Sequence, residues 1–107
     1  MAQRFAGQVA WVTGAGSGIG KALALELARQ GASVAVSGRR AKNLEDVASE
    51  LEAAGARALP VTCDVTDEDD VARAVETIAR ELGGMHVAIA NAGFSVAGSL
   101  ESLSAED

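Results

Sequence analysis

Short apolar segments bounded by glycine alternate along the chain with longer segments in which apolar residues recur every three or four positions. The four short segments cover residues 8–13, 33–37, 58–63 and 85–90. Their central residues are apolar and do not alternate with polar ones, which is typical of parallel strands covered on both faces. Four β-strands are therefore predicted.

The three intervening segments each predict an amphipathic helix, because spacings of three and four place side chains on one side of a helix. The expected apolar faces are Ile19, Leu23 and Leu27 in the first helix; Leu44, Val47, Ala48, Leu51 and Ala54 in the second; and Val71, Ala74, Val75, Ile78 and Leu82 in the third. The order βαβαβαβ with right-handed crossovers predicts an α/β fold. It is a doubly wound parallel sheet of the Rossmann type, with helices on both faces.

Glycine and acidic residues mark the expected ends of these helices. Gly31 and Gly55 stand where the first two helices are predicted to stop. Thr66 precedes the acidic residues 67–70, the expected first turn of the third helix. Because negative charge is favourable at the positive end of the helix dipole, we interpret this acidic run as dipole complementation and not as a metal site.

The composition is that of one small globular domain spanning residues 1–107, with 49% hydrophobic residues and only 3% aromatic ones. A net charge of −6 argues against nucleic acid or an anionic membrane as a partner, because both require a basic surface. No apolar run approaches the roughly 18 residues that span a bilayer. Cys63 is the single cysteine and cannot form an intrachain disulfide, so a cytoplasmic location is expected.

The segment from Val9 to Gly20 joins the first strand to the first helix through a glycine-rich turn. Such a turn presents unpaired N–H groups and the positive end of the helix dipole, which together favour a phosphate. A P-loop is disfavoured, because Ala15 stands at its first glycine and Ala22 at its hydroxyl residue. The pattern Gly-x-Gly-x-x-Gly also fails, since Ile19 or Lys21 falls at its last position.

Three motifs in this order resemble those of the short-chain dehydrogenase/reductase family. They are Thr13-Gly14-x-x-x-Gly18-x-Gly20 after the first strand, Cys63-Asp64-Val65-Thr66 after the third, and Asn91-Ala92-Gly93 after the fourth. The resemblance covers essentially the whole chain. It implies the strand order 3-2-1-4 and a nicotinamide dinucleotide at the carboxyl ends of the strands.

The resemblance also implies a role for each motif. The cofactor phosphates would be wrapped by Gly14, Ser17, Gly18, Ile19 and Gly20. Asp64 would accept a hydrogen bond from the adenine amino group, with Val65 packed beside it, and Asn91, Ala92 and Gly93 would pass close to the ribose on the nicotinamide side. On the residues alone, two alternatives stay open: Asp64 as a turn or capping carboxylate and Asn91 as a structural residue.

The end of the second strand bears on the choice of cofactor. An acidic residue there would bind the ribose 2′-hydroxyl of NAD and repel a 2′-phosphate, but the sequence reads Gly38-Arg39-Arg40. The guanidinium of Arg39 suits phosphate oxygens, so NADP is predicted rather than NAD. The alternative is that Arg39 and Arg40 are solvated charges that open a helix, where the dipole disfavours them.

Two positions depart from the family pattern. Position 90 is Ala90 where relatives often have asparagine, and His86 replaces an aspartate common near the start of the fourth strand. His86 has no Cys, His or carboxylate at ligand spacing, so we interpret it as a strand-edge residue and predict no metal site.

The family's catalytic tyrosine, lysine and serine have no match here, and the chain contains no tyrosine. No catalytic residue is therefore predicted. Ser104-Ala105-Glu106-Asp107 has the form of a capping box and predicts a helix start, which suggests that these residues are the N-terminal part of a longer domain. An isolated chain of this kind would have an open sheet edge and would be marginal, oligomeric or dependent on a partner.

The function expected is that of an NADP-dependent oxidoreductase acting on a small alcohol or carbonyl substrate, of which this chain carries the cofactor-binding half. A homo-oligomer is expected for the parent enzyme. The alternatives are a stand-alone dinucleotide-binding or sensing module without catalysis, and an inactive fragment.

Overall fold

The computed structural model describes residues 4–15 and 18–90, in which strands and helices alternate. The elements are β1 (Val9–Thr13), α1 (Gly18–Arg29), β2 (Ser33–Gly38), α2 (Ala41–Ala53), β3 (Ala58–Thr62), α3 (Glu68–Leu82) and β4 (Val87–Ala90). The predicted strands agree with the observed ones to within two residues at their ends. No helix in these ranges is both long enough and apolar enough to cross a membrane.

The four strands form one parallel sheet in the order β3-β2-β1-β4. In the register between β1 and β2, Val9 stands opposite Ser33 and Thr13 opposite Ser37. This is the predicted doubly wound topology, with β1 and β2 in the centre. Because all strands are parallel, their carboxyl ends lie along one edge of the sheet.

The core is divided by the sheet into two layers. On one face, Ala10 and Val12 of β1 pack with the buried residues of α1 and α2, among them Leu44 and Leu51. On the other face, Trp11 and neighbouring strand residues pack with Ala74, Ile78 and Leu82 of α3. Helices lie on both faces as predicted, with two helices on one face and one helix on the other. Burial of Leu44, Leu51 and Ile78, all fully buried, stabilises the fold by about 1.5–3 kcal/mol each.

Three predicted core positions are wrong. Ile19 is 71% exposed and Val75 is 37% exposed. Ala54, which follows the last residue of α2, is exposed as well. The buried residues of α1 are Gly20, Ala24, Leu27 and Ala28. The first turn of α1 packs through Gly20 against the preceding turn, and this orientation leaves the neighbouring Ile19 in solvent.

The predicted ends of α1 and α2 are confirmed, since Gly31 and Gly55 have φ values of +95° and +96°. In both cases the glycine N–H bonds back three residues and the next N–H bonds back five, as in Ala32 N to Leu27 O at 3.1 Å. This is the Schellman arrangement, in which a left-handed residue lets the chain leave the helix.

The start of α3 differs from the prediction by one residue. The N-cap is Asp67, whose carboxylate accepts hydrogen bonds from the N–H groups of Asp69 and Asp70. Thr66, the residue before the expected first turn, instead donates its hydroxyl to Asp64 at 2.6 Å. A carboxylate accepts more strongly than a hydroxyl, so Asp67 takes the capping position.

His86 lies just before β4 and is bound to the start of β1. Its Nδ1 accepts the N–H of Val9 at 2.9 Å, and its own N–H donates to the Val9 carbonyl at 2.8 Å. The ring therefore carries its proton on Nε2 when it makes this bond. The prediction of a strand-edge residue is confirmed. In addition, the ring accepts a hydrogen bond from the N–H of Val9, the first residue of β1.

Candidate functional site

The turns after β1, β2 and β3 are bonded to one another at the carboxyl edge of the sheet. The Ala15 N–H, just after β1, donates to the Ser37 carbonyl in β2 at 3.1 Å. The Cys63 N–H, just after β3, donates to the Gly38 carbonyl at the end of β2 at 3.0 Å. The three segments that carry the predicted site residues therefore form one continuous surface.

Glycine is required in the first of these turns for two different reasons. Gly14 and Gly18 have φ values of +67° and +61°, where residues with a Cβ are strained. Gly20 is buried, and a Cβ on it would lie 2.2 Å from the Gly14 carbonyl oxygen and 2.9 Å from its carbon. Gly20 thus lets α1 start in direct contact with the backbone of the turn.

The space in front of α1 is open. A Cβ placed on Gly18 would meet no described atom within 4 Å. The first turn of α1 contains no acidic residue, and Ile19 projects into solvent beside it. The described residues therefore leave the surface beside this helix start open, at the positive end of the helix dipole.

The second turn carries positive charge at another helix start. Arg40 is the N-cap of α2, and its side chain makes no capping hydrogen bond. Arg39, Arg40 and Lys42 are exposed, and within the described part of the chain none of them forms an ion pair. The first turn of α2 lacks an acidic residue, so the cations and the helix dipole add to a local positive potential.

The third turn holds a carboxylate in a fixed orientation. Asp64 Oδ1 accepts the Thr66 hydroxyl at 2.6 Å and the Thr66 N–H at 3.0 Å. These hydrogen bonds, and the charge of Arg39 to a smaller extent, hold the pKa of Asp64 below its ordinary value of 3.8. Asp64 is therefore ionised at neutral pH, and its Oδ2 accepts no hydrogen bond from residues 4–15 or 18–90.

Sequence reasoning missed the residue that holds this turn from below. Asp70, in the first turn of α3, accepts the backbone N–H of Asp64 on Oδ2 at 2.7 Å and pairs with Arg73 through Oδ1. The Asp70 side chain is 22% exposed, against 69% for that of Arg73. The acidic composition of residues 67–70 indicates only a favourable interaction with the helix dipole. The spacing of six residues between Asp64 and Asp70 gave no local signal for a bond between them.

The cysteine at the base of this turn is shielded. Cys63 is buried, and burial together with the negative charges of Asp70 and Asp64 raises the pKa of its thiol above the ordinary value of 9.0. At neutral pH it is therefore a thiol and not a reactive thiolate.

The structure brings together most of the predicted site residues at one edge of the sheet. They are Gly14, Gly18, Ile19 and Gly20 in the first turn, Arg39 and Arg40 in the second, and Asp64 and Val65 in the third. The predicted residues Ser17, Asn91, Ala92 and Gly93 lie outside the described residues. Within the described part, the arrangement offers one face with two helix starts, two arginines and an ionised carboxylate.

Comparison with known proteins assigns this fold to a family. The short chain dehydrogenase family profile matches residues 8–107. The chain therefore belongs to the short-chain dehydrogenase family, whose members bind a nicotinamide dinucleotide and act as oxidoreductases.

Relatives named as enzymes are identical to this chain at 40–50% of the aligned positions. The chain is 50% identical over 95 residues to cis-4-hydroxycyclohexanecarboxylate dehydrogenase of Sinomonas cyclohexanicum, covering 89% of this chain and 38% of the relative. It is 40% identical over 105 residues to glucose 1-dehydrogenase of Gluconobacter oxydans, covering 97% of this chain and 40% of the relative. The chain thus spans about two fifths of the length of these proteins.

A solved structure gives the same result for the fold. L-sorbose reductase from Gluconobacter frateurii, crystallised with NADPH and L-sorbose, superposes with a TM-score of 0.81 at 35% identity. The match covers 90% of this chain and 37% of that protein. The described elements therefore have the same arrangement as the corresponding part of a reductase of this family.

Proposed function

We propose that this chain binds NADP(H) at the carboxyl edge of its sheet and supplies the coenzyme-binding part of an oxidoreductase. The enzyme would transfer a hydride between NADP(H) and a small alcohol or carbonyl substrate, the nicotinamide ring supplying or accepting the hydride when bound. No catalytic residue is assigned within the 107 residues. The buried, protonated Cys63 fits a reducing environment, so a cytoplasmic location is part of the proposal.

The observation that carries the choice of NADP is the positive charge at the start of α2, which forms no ion pair with the described residues. Arg39 and Arg40 are exposed, no side chain caps the helix, and its first turn holds no acidic residue to receive the 2′-hydroxyl of NAD. A 2′-phosphate would bring two negative charges to the guanidinium of Arg39 and to the free N–H groups of α2. Gly38 leaves room there, since a Cβ on it would make only an ordinary contact with Leu44 at 3.5 Å.

The first turn fits the diphosphate of the coenzyme. The space over Gly18, which no described atom fills, and the positive end of the α1 dipole favour an anion in contact with backbone amides. In this proposal Gly14, Ser17, Gly18 and Ile19 surround the diphosphate, and Gly20 sets the close approach of α1 to the turn. A side chain at position 18 would occupy the same space as the phosphates.

The third turn fits the adenine. Asp64 is ionised, and its Oδ2 is available to accept the exocyclic amino group, with Val65 as an apolar neighbour. Asp64 also acts as a turn carboxylate, because its Oδ1 accepts hydrogen bonds from Thr66. This role is compatible with adenine binding, since the two roles use different oxygens of the carboxylate. Asn91, Ala92 and Gly93 would lie near the nicotinamide ribose.

The similar proteins support the class of reaction and the coenzyme. Two relatives are named as dehydrogenases of hydroxyl-bearing compounds, and the L-sorbose reductase was crystallised with NADPH. They differ in substrate, so only the class of small alcohols or carbonyl compounds is carried over to this chain.

The charge at position 39 tests the choice of coenzyme. NADPH and NADH are titrated against the purified chain by calorimetry, and NADPH should bind more tightly. Since hydrogen bonds to charged groups contribute about 1.5–3 kcal/mol, Arg39→Asp should weaken NADPH binding by roughly ten- to a hundredfold and reverse the preference. Arg29→Asp is the control, because it makes the same charge change in the last turn of α1. An unchanged preference in Arg39→Asp would remove this role, and failure to bind either coenzyme would contradict the whole proposal.

The space over Gly18 tests the position of the diphosphate. Gly18→Val should abolish binding of both coenzymes, since the side chain would fill that space. Gly55→Val is the matched control: Gly55 also has a positive φ and open surroundings, but it follows α2 at the opposite edge of the sheet. If Gly18→Val binds as tightly as Gly55→Val, the first turn is only a structural corner.

A further inference from the structure

Asp70 is the described residue that fixes the backbone of the Asp64 turn from the helix below it. Its Oδ2 accepts the Asp64 N–H at 2.7 Å, while the N-cap Asp67 meets the N–H groups of the helix itself. In an ordinary capping box the third helical residue would bond the N-cap N–H. Here the Asp67 N–H is taken by the Asp64 carbonyl at 3.0 Å, so the Asp70 carboxylate reaches further back along the chain.

Asp64 is thus held on both its main chain and its side chain. Asp70 receives the backbone N–H, the Asp64 carbonyl receives the Asp67 N–H, and Thr66 binds Oδ1 with its hydroxyl and its N–H. Arg73 in turn pairs with the other oxygen of Asp70. This network leaves Asp64 Oδ2 without a bond to the described residues and defines where it lies.

We propose that Asp70 is a positioning residue for adenine recognition, acting through the Asp64 backbone to place Oδ2 against the exocyclic amino group of the coenzyme. This inference rests on the proposed function. Asp70 does not touch the coenzyme in this role. It keeps the turn from relaxing into positions in which Oδ2 would no longer meet the amino group, so the specificity for adenine over other purines depends on it.

The test compares two coenzymes that differ at the atom Asp64 is expected to bind. Reduced nicotinamide hypoxanthine dinucleotide phosphate has a carbonyl in place of the adenine amino group, so this position of the base no longer donates a hydrogen bond to a carboxylate. The wild-type chain should prefer NADPH over it by roughly ten- to a hundredfold, the effect of one hydrogen bond to a charged group, and Asp64→Ala should remove the preference. Asp70→Ala should lower the same ratio towards one.

Three further variants separate positioning from charge and from folding. Asp70→Asn keeps an oxygen that accepts the Asp64 N–H and should restore the ratio. Asp69→Ala removes a neighbouring carboxylate that bonds nothing in the described turn, and it should leave the ratio unchanged. Asp70→Glu keeps the charge and moves the oxygens by one methylene group, so it should lower the ratio even if Asp70→Ala does not fold.

The outcomes distinguish this inference from the function on which it rests. A chain that binds neither dinucleotide, or does not distinguish them, would overturn both the adenine assignment to Asp64 and the role of Asp70. If Asp64→Ala loses the preference while Asp70→Ala and Asp70→Glu keep it, only the positioning role is wrong. If the Asp70 variants weaken the binding of both dinucleotides equally, so that the ratio of affinities is unchanged, Asp70 is a structural residue and the positioning role is wrong.

Discussion

The indole Nε1–H of Trp11 donates to the hydroxyl oxygen of Ser37 at 2.8 Å, across the interior between β1 and β2. Ser37 is fully buried, and its strand ends beside the turn that follows β1. Trp11 is the only tryptophan of the chain, so its fluorescence reports directly on this part of the core.

Replacing Ser37 by Ala should therefore destabilise the chain. The buried indole N–H would lose its acceptor, which costs about 1–3 kcal/mol. Urea denaturation followed by Trp11 fluorescence measures the change. Ser33→Ala in the same strand is the control, because no side-chain hydrogen bond of Ser33 is formed within the described residues. A loss no larger than that of Ser33→Ala would mean that the indole finds another partner.

Gly20→Ala should be destabilising by about 1–3 kcal/mol or more, because the new methyl group would lie 2.2 Å from a backbone oxygen that has no side-chain freedom to move away. Gly38→Ala is matched to it, since there the methyl group would meet only the end of the Leu44 side chain at 3.5 Å. The free energies of unfolding of both variants, from denaturant titration without coenzyme, should differ clearly. Equal stabilities would show that α1 can shift away from the turn.

His86→Leu should also lower stability, by about 1–3 kcal/mol, since the Val9 N–H at the start of the central strand would lose its acceptor. His86→Asn provides a carbonyl oxygen near the position of Nδ1 and should recover most of this loss. Amide hydrogen exchange at Val9 gives an independent measurement, with faster exchange in His86→Leu than in His86→Asn. The same exchange rate in both would exclude the histidine as the partner in solution.

The pKa of Asp64 should rise when Thr66 is replaced by Val. The Thr66 hydroxyl is the largest cause of the lowered pKa, and the Thr66 N–H remains in the variant, so the rise towards 3.8 should be partial. Because the folded pKa lies below the ordinary one, the stability from these bonds is present above about pH 4 and is lost as the pH falls through the folded pKa. Carbon-detected NMR titration of the carboxylate measures the pKa directly. Thr62→Val, at the exposed last residue of β3, should leave it unchanged.

Features set by residues close together in the chain were predicted correctly, and contacts between distant residues were not. Gly31 and Gly55 end their helices through φ values that the residue type itself favours, and both positions were predicted correctly. The parallel α/β sheet followed from the alternation of elements, and the order of its strands from the family resemblance.

The errors and omissions came from packing and from distant contacts. Ile19 has helical spacing with Leu23, but the contact of Gly20 with Gly14 turns it towards solvent. His86 and Val9 are 77 residues apart in the chain, and no periodic pattern links them. The bond between Asp70 and Asp64 likewise requires the turn to fold back over the helix start. The acidic composition of residues 67–70 does not distinguish Asp70 from its neighbours, so it gives no indication of this bond.

No side chain caps the start of α2, so the positive potential of this helix start can be lowered by an anion that binds there from solution. Any anion that binds there in the folded state and not in the unfolded state shifts the folding equilibrium in proportion to the logarithm of its concentration. Buffers rich in sulfate or inorganic phosphate should therefore raise the melting temperature by occupying the position proposed for the 2′-phosphate of the coenzyme. Affinities for NADPH measured in such buffers would be too low, so a chloride or acetate buffer at matched ionic strength is the appropriate medium for studying this chain.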